Sequence, residues 1–167
     1  MEKENIDKQD SDHILELMSG KTFNWFYNNE ILEGTPADKS VNNDFMFTHM
    51  FHNWQDGVCS DYFDDLLPLL NTINPKIILR VKANLRPYGK SIHESLYHVD
   101  YEQCESLKNV KTAIYYVNTC NGYTKFEDGT KEYSEKGKVI MFDQGIKHAG
   151  TNTTNEKRRM VININYI

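Results

Sequence analysis

The spacing of hydrophobic residues divides the chain into a helical first third and a strand-rich remainder. Apolar residues on one helical face predict a short helix over 13–19, capped by Asp12, behind a polar and frayed N-terminus at 1–12. Apolar side chains at i, i+3, i+4 and i+7 predict a second helix within 60–70. Pro68 lies inside that second pattern, so this helix is expected to be kinked or shortened.

Segments rich in β-branched and aromatic residues follow, and turn signals such as Asn-Gly and Asp-Gly separate them. They predict strands at 45–54, 76–84, 95–101, 111–118, 123–126, 138–142 and 158–167. The polar stretch 33–44 is expected to be a loop. Helices followed by antiparallel strands indicate an α+β fold of mainly β character. No linker or repeat interrupts the pattern, so we predict one domain over 1–167, in which a helical and aromatic N-terminal part at 1–74 supports a β core at 75–167.

Composition excludes several classes of protein. The chain has 167 residues, a net charge of −5 and no run that approaches the roughly 20 apolar residues of a membrane span. Its three scattered cysteines form neither a disulfide framework nor a CxxC zinc site, and the charged N-terminus lacks the apolar core of an export signal. These features predict a cytoplasmic protein without a membrane partner. The negative charge disfavours a protein that coats nucleic acid, although a local basic groove is compatible with it.

The strongest chemical signal is His98-Val99-Asp100, because residues i and i+2 of a strand point to the same side. An imidazole and a carboxylate would then lie side by side. His148 begins the penultimate strand segment and is the natural third ligand. Two histidines and one carboxylate on one face of an ion form the triad of non-haem Fe(II) oxygenases. Three coordination sites stay open in such a centre, which suits a chelating cosubstrate and dioxygen.

The His-x-Asp pattern alone is weak, since a strand-surface histidine beside a solvated aspartate produces the same letters. The last strand adds a second signal, because Arg158 and Arg159 stand directly before the run Met160–Ile164. An arginine buried in such a strand needs an anionic partner. A dicarboxylate cosubstrate would provide one and would accept two parallel hydrogen bonds from the guanidinium.

Five segments together resemble the 2-oxoglutarate/Fe(II)-dependent dioxygenases, in particular the prolyl 4-hydroxylase-like group and its small phage-encoded members: RVKANLRP, YHVDY, TAIYYVNTCNGYTKFEDG, VIMFDQGIKHAGTNTT and RRMVININY. Cupin-like proteins and zinc hydrolases do not share the combination of His-x-Asp, the YYVN…GYTKF segment and the His…Arg ending. The resemblance implies a double-stranded β-helix, a cupin-like jelly roll, flanked by N-terminal helices. It also implies the host cytoplasm as the location if the chain is phage-encoded.

The resemblance assigns roles residue by residue. It implies a catalytic iron centre whose ligands are His98, Asp100 and His148. The family's basic residue on the last strand holds the distal carboxylate of 2-oxoglutarate. Arg159 matches this residue better than Arg158, although a shift of one residue in register would exchange the two. Tyr116 matches a tyrosine whose hydroxyl binds the same carboxylate, and simple core packing is the alternative for it.

For the metal-bound end of 2-oxoglutarate the resemblance leaves three candidates, which are Asn84, Arg86 and Tyr88. Arg86 stands where the family often places a tyrosine, so the residue that makes this contact stays open. Thr124 matches a threonine that lines the cosubstrate pocket. A structural hydroxyl that bonds the backbone is an equal alternative for Thr124.

The implied reaction hydroxylates an unactivated C–H bond and converts 2-oxoglutarate and O2 into succinate and CO2, with ascorbate as an optional supporting reductant. The likeness favours a peptide, such as peptidyl proline, or a small molecule as primary substrate. Nucleic acid stays open, because one strand parity carries a basic row, which is Lys76, Arg80, Lys82 and Arg86. Such a row forms either a solvated sheet face or an anion-binding groove. Two other classes compete: a non-catalytic domain of this fold, and a cupin-type metalloenzyme that needs no keto acid.

Overall fold

The computed structural model describes residues 1–29, 45–100 and 109–167. The predicted loop at 33–44 and the last residue of the predicted strand at 95–101 lie outside these ranges. The described residues form eleven strands, two α-helices and a 3-10 turn at Asp64–Leu66. In chain order the elements are β1 (Glu2–Asn5), α1 (Lys8–Ser19), β2 (Phe26–Asn28), β3 (Met46–Asn53), β4 (Gly57–Val58), α2 (Leu67–Ile73), β5 (Ile78–Pro87), β6 (Lys111–Tyr116), β7 (Tyr123–Phe126), β8 (Lys131–Tyr133), β9 (Lys138–Asp143), β10 (His148–Gly150) and β11 (Arg158–Tyr166).

Eight of these strands form one antiparallel sheet in the order β1-β9-β6-β11-β5-β3-β2, with β4 paired to β3. The last strand of the chain lies at its centre, because Val161 of β11 pairs with Tyr116 of β6 on one side and with Asn84 of β5 on the other. The N-terminal third continues this sheet through the pairing of β3 with β5. The other three strands form a small antiparallel sheet in the order β10-β7-β8.

Strand β11 separates two packed regions, since alternate residues of a strand point to opposite faces. One face packs with Ile14 of α1 and Leu69 of α2, and it carries Met160, Ile162, Ile164 and Tyr166. On the other face Val161 packs with a smaller cluster, which is Ile114, Tyr116, Phe126, Ile140 and Phe142. This second cluster joins the large sheet to the small one, and we call the space between the two sheets the barrel interior. Arg159 and Asn163 share the parity of Val161 and therefore point into it.

Helix α1 begins earlier than the hydrophobic pattern predicts. Asp7 caps it in place of Asp12, because the Asp7 side chain accepts a hydrogen bond from the backbone N–H of Gln9 at 2.7 Å. The prediction of a frayed N-terminus is wrong as well. The first strand, β1, pairs with β9 and forms an edge of the large sheet. Its polar sequence EKEN does not predict a strand.

Helix α2 is shorter than the predicted 60–70, as the proline suggested. Pro68 lies in the first turn of α2, where a helix loses no backbone hydrogen bond, and the residues just before it form the 3-10 turn. Neither of the two helices in the described ranges has the length and hydrophobicity needed to span a membrane.

The predicted strand at 95–101 is wrong over its described residues. Two isolated bridges join residues 94–98 to the region of β10, and they pair Glu94 with Thr151 and His98 with His148. The backbone N–H of Gly150 also donates to Oγ of Ser95 at 3.0 Å. The other predicted strands are confirmed as β3, β5, β6, β7, β9 and β11, with ends that differ by up to three residues. The segment that carries His-x-Asp is thus held by tertiary contacts and not by a continuous ladder.

Candidate functional site

Three potential metal ligands meet at the barrel interior. His98 and His148 lie opposite each other, and the backbone N–H of each donates to the carbonyl oxygen of the other at 3.0 Å. Their ring centroids are 4.8 Å apart. The carboxylate of Asp100 lies 3.7 Å from Nε2 of each imidazole. One donor atom from each residue lies within 4.8 Å of the others, so a single ion could contact all three.

Backbone carbonyl groups orient both imidazoles. Nδ1 of His98 donates to the carbonyl oxygen of Leu96 at 3.1 Å, and Nδ1 of His148 donates to that of Ile146 at 3.2 Å. Because Nδ1 of each ring faces a carbonyl oxygen, Nε2 is the ring atom directed at Asp100 and at a metal bound there. A neutral imidazole held in this tautomer is the form that binds a metal.

Burial and charge also fit a divalent metal. Nε2 of His148 is buried and has no hydrogen-bond partner, which costs about 1–3 kcal/mol unless a ligand meets it. Burial alone would raise the pKa of Asp100, but its interactions with His148, His98 and Arg80 hold that pKa well below its ordinary value. Asp100 is therefore ionised at neutral pH. Two neutral imidazoles and one carboxylate are the donor set of the Fe(II) facial triad.

Asp100 is held by a residue that the sequence patterns did not single out. Nδ2 of Asn163 donates to both of its carboxylate oxygens, at 3.0 and 3.1 Å. Nη2 of Arg80 lies 3.8 Å from the carboxylate oxygen Oδ1. A signal for Asn163 exists in the sequence, because Asn163 and Asn165 interrupt an otherwise apolar strand at a spacing of two and so share one face.

Arg159, the expected anchor of the distal carboxylate, is 4% exposed, whereas Arg158 is half-buried on the other face of β11. The guanidinium of Arg159 donates to Oγ of Ser134 at 2.7 Å, to Oγ1 of Thr124 at 3.1 Å and to the carbonyl oxygen of Thr151 at 3.3 Å. Within the described ranges no acidic side chain forms an ion pair with it. Burial lowers the pKa of the guanidinium. A buried cation with only neutral partners is suited to bind an anion.

Tyr116 and Thr124 lie beside this guanidinium. The Tyr116 hydroxyl donates to Oγ1 of Thr124 at 3.0 Å, and Cζ of Arg159 lies 5.6 Å from the centre of the tyrosine ring. Burial raises the pKa of Tyr116 to about 12, so its hydroxyl stays a donor at neutral pH. Gly122 makes room for the arginine, because a Cβ at this position would lie 2.5 Å from Cδ of Arg159.

The structure separates the three candidates for the metal-bound end of the cosubstrate. Asn84 lies on the barrel side of β5, and its Oδ1 is buried without a partner. Arg86 is 6% exposed, pairs across the strands with Arg159 and donates to a β10 carbonyl oxygen at 3.0 Å. Tyr88 is 56% exposed and lines a surface cavity with 154–157, and its contact with the cosubstrate stays a prediction.

Most of the basic row turns towards the barrel interior. Arg80, Lys82 and Arg86 are half-buried or buried, and they alternate with helix-side residues such as Val81 and Ala83. Arg80 reaches the metal-ligand cluster through Asp100. A solvated sheet face therefore does not describe this part of β5.

No family model matches the sequence, and neither does any curated protein. Solved structures do match. The non-heme alpha ketoglutarate dependent epimerase SnoN from nogalamycin biosynthesis has a TM-score of 0.64 at 12% identity, over 99% of this chain and 76% of that enzyme. A prolyl hydroxylase of Trichoplax adhaerens, in complex with a peptide of hypoxia inducible factor, has a TM-score of 0.63 at 16% identity, over 99% of this chain and 82% of the hydroxylase. The DMSP lyase DddQ of Ruegeria pomeroyi has a TM-score of 0.51 at 10% identity. This match covers 86% of this chain and only 56% of the lyase.

The chain has the fold of the 2-oxoglutarate/Fe(II) oxygenases. This finding confirms the predicted jelly-roll class and the predicted resemblance to prolyl hydroxylase-like proteins. A fold hosts more than one chemistry, and here a lyase shares it, so the reaction has to be argued from the side chains of the site.

Proposed function

We propose that the chain is an Fe(II)- and 2-oxoglutarate-dependent dioxygenase that hydroxylates an unactivated C–H bond and forms succinate and CO2. One juxtaposition carries the proposal: the cluster of His98, Asp100 and His148 shares the barrel interior with the guanidinium of Arg159, which has no acidic partner among the described residues. Phe142 connects the two, because its ring lies 5.1 Å from that of His148 and packs in the same cluster as Tyr116. A metal hydrolase would need only the cluster, whereas a dicarboxylate chelated at the metal uses the arginine as well.

The three ligands would hold Fe(II) on one face and leave the opposite face for the keto acid and dioxygen. When bound, the iron supplies the oxidation chemistry that couples decarboxylation of the keto acid to hydroxylation. The chain supplies the geometry. The carbonyl groups of Leu96 and Ile146 orient the imidazoles, ionised Asp100 contributes the negative charge, and Phe142 covers one side of His148 against water. No side chain is required as a nucleophile or general base.

Arg159, Tyr116 and Thr124 would bind the distal carboxylate of 2-oxoglutarate. Oγ1 of Thr124 accepts hydrogen bonds from both Arg159 and Tyr116, so its own proton is available to an incoming carboxylate. For the metal-bound end we favour Asn84, whose amide N–H could donate to the other carboxylate. The pocket would thus fix both ends of the cosubstrate and hold it in one pose.

For the primary substrate we favour a peptide, with peptidyl proline as the first candidate. The support is that the Trichoplax prolyl hydroxylase, which holds a peptide, matches 99% of this chain. The basic side chains of β5 beside Asp100 support an anionic substrate, nucleic acid or a small metabolite, as the alternative.

Succinate release tests both parts of the proposal. The protein is incubated in air with Fe(II), 2-oxoglutarate and ascorbate, together with proline peptides, oligonucleotides or free amino acids. We expect proline peptides to raise succinate formation above the level without substrate. Stimulation by oligonucleotides alone would contradict the peptide, and the absence of any 2-oxoglutarate-dependent succinate would contradict the dioxygenase.

A metalloenzyme that needs no keto acid is the second candidate, because the lyase DddQ shares the fold. In such an enzyme the same three residues would bind a metal, and Arg159 would hold an anionic group of the substrate itself. Metal binding that 2-oxoglutarate leaves unchanged would favour this candidate. Failure to bind any divalent metal would favour a non-catalytic domain.

A further inference from the structure

Asn163 is a buried residue whose hydrogen bonds the fold itself does not explain. It is 7% exposed and lies on the barrel side of β11. Among the residues that the structure describes, its side chain hydrogen-bonds only Asp100, with Nδ2 3.0 and 3.1 Å from the two carboxylate oxygens. Its Oδ1 is buried and has no partner. An unsatisfied buried carbonyl group destabilises a fold, so stability alone does not account for an asparagine here.

The orientation of this amide follows from its partner. An ionised carboxylate only accepts hydrogen bonds, so the NH2 group of Asn163 must face Asp100 and the carbonyl group must point away. Asn165 provides a comparison two residues further along the same face. It donates to Oγ1 of Thr112 at 3.0 Å and accepts from Nε of Arg80 at 3.0 Å, so both ends of its amide are satisfied. Within the described part of the chain, the side chain of Asn163 hydrogen-bonds Asp100 and nothing else.

We propose that Asn163 is a positioning residue that holds the Asp100 carboxylate in the orientation in which one oxygen binds the metal; this inference rests on the proposed function. A carboxylate can offer a metal one oxygen or both. A single NH2 group that donates to both oxygens restrains the rotation of the carboxylate about Cβ–Cγ. When one oxygen binds the ion, the other can keep its hydrogen bond to Asn163. Coordination through one oxygen leaves the sites that a chelating keto acid and dioxygen require.

Metal affinity of the full chain tests this role without any turnover, and Mn(II) is the probe. The variant Asn163→Leu keeps most of the side-chain volume and removes the donor, and we expect it to weaken Mn(II) binding by about 10-fold or more, as losing the partner of a metal ligand does. Thr112→Val is the matched control. It removes a buried hydrogen bond from the same side of the sheet, and Thr112 reaches Asp100 only indirectly, through Asn165 and Arg80. Its Mn(II) affinity should therefore stay close to that of the wild type. Thermal unfolding of both variants measures their loss of stability, and Asn163→Ala replaces Asn163→Leu if the latter does not fold.

A spectroscopic signature separates positioning from general damage. Co(II) in place of Fe(II) gives visible bands whose intensity depends on coordination number. Asn163→Leu should change these bands because Asp100 is free to bind through both oxygens, and Thr112→Val should not. Wild-type Mn(II) affinity and an unchanged Co(II) spectrum in the Asn163 variants would overturn the inference, and so would equal weakening by Thr112→Val. If the wild type bound no Mn(II), the proposed metal site itself would fail, and that outcome is recognisable because no variant would then differ from it.

Discussion

Replacing Arg159 by lysine tests the cosubstrate pocket, because it keeps the positive charge and removes the planar fork of donors. The wild-type guanidinium uses three N–H groups on Ser134, Thr124 and Thr151, at 2.7 to 3.3 Å, and two of its five remain for a ligand. A lysine ammonium has three donors, and the lysine side chain is one bond shorter than that of arginine. The ammonium therefore cannot hydrogen-bond these three oxygens and a carboxylate together. Losing one hydrogen bond to a charged group costs about 1.5–3 kcal/mol. The dissociation constant of 2-oxoglutarate should therefore rise about 10- to 150-fold.

The assay is an anaerobic titration of the Fe(II)-loaded variant with 2-oxoglutarate, followed by the visible charge-transfer absorption of the chelate. Arg158→Lys is the matched control, since Arg158 is the neighbouring residue on the opposite face of β11, and it should bind like the wild type. KM for 2-oxoglutarate should rise with little change in kcat, the pattern of lost ground-state binding. Wild-type affinity in Arg159→Lys, or equal weakening by Arg158→Lys, would refute the assignment of Arg159 to the distal carboxylate.

Three further substitutions extend the test. Asp100→Ala should abolish 2-oxoglutarate-dependent succinate formation while circular dichroism shows an intact fold, and normal succinate release would contradict the ligand assignment. Gly122→Ala should weaken 2-oxoglutarate binding and lower the free energy of unfolding by about 1–3 kcal/mol, because the new Cβ would lie 2.5 Å from Cδ of Arg159. Gly145→Ala is the control, since a Cβ at position 145 meets nothing within 4 Å, and it should change neither quantity. Tyr116→Phe should reduce affinity for 2-oxoglutarate several-fold through the loss of one hydrogen bond, worth about 1 kcal/mol. Since the pKa of Tyr116 is raised to about 12, its neutral donor form persists as pH rises, and wild-type affinity should hold from neutral to mildly alkaline pH; a loss over that range would contradict its role.

The sequence predicts a strand of this fold best where the residues of that strand alternate between two buried faces. Strand β11 is the clearest case, because Met160, Ile162 and Ile164 alternate with the residues of the barrel face, and the alternation fixes which of its two arginines is buried. His98 and His148 could be named from spacing and resemblance without knowledge of the contact that joins them. Spacing and resemblance likewise favoured Arg159 over Arg158 as the arginine that binds the distal carboxylate.

Features that depend on distant partners escaped prediction. Strand β1 is polar throughout and exists because the edge of β9 accepts it, so no local pattern marks it. The segment before Asp100 has a strand-like composition, yet its backbone pairs through single bridges to Thr151 and His148 and not through a ladder. The hydrogen-bond partner of Asn163 is a carboxylate that lies 63 positions away in the chain.

The central claim is that one metal and one 2-oxoglutarate bind together in this barrel, and an anaerobic absorption spectrum tests it most directly. Fe(II) is added to the metal-free protein, 2-oxoglutarate follows, and Asp100→Ala is treated in the same way. The account predicts a visible charge-transfer band that saturates at one equivalent of each for the wild type and is missing for Asp100→Ala. A wild-type protein that binds Fe(II) but develops no band with 2-oxoglutarate, or an Asp100→Ala variant with the full band, would contradict it.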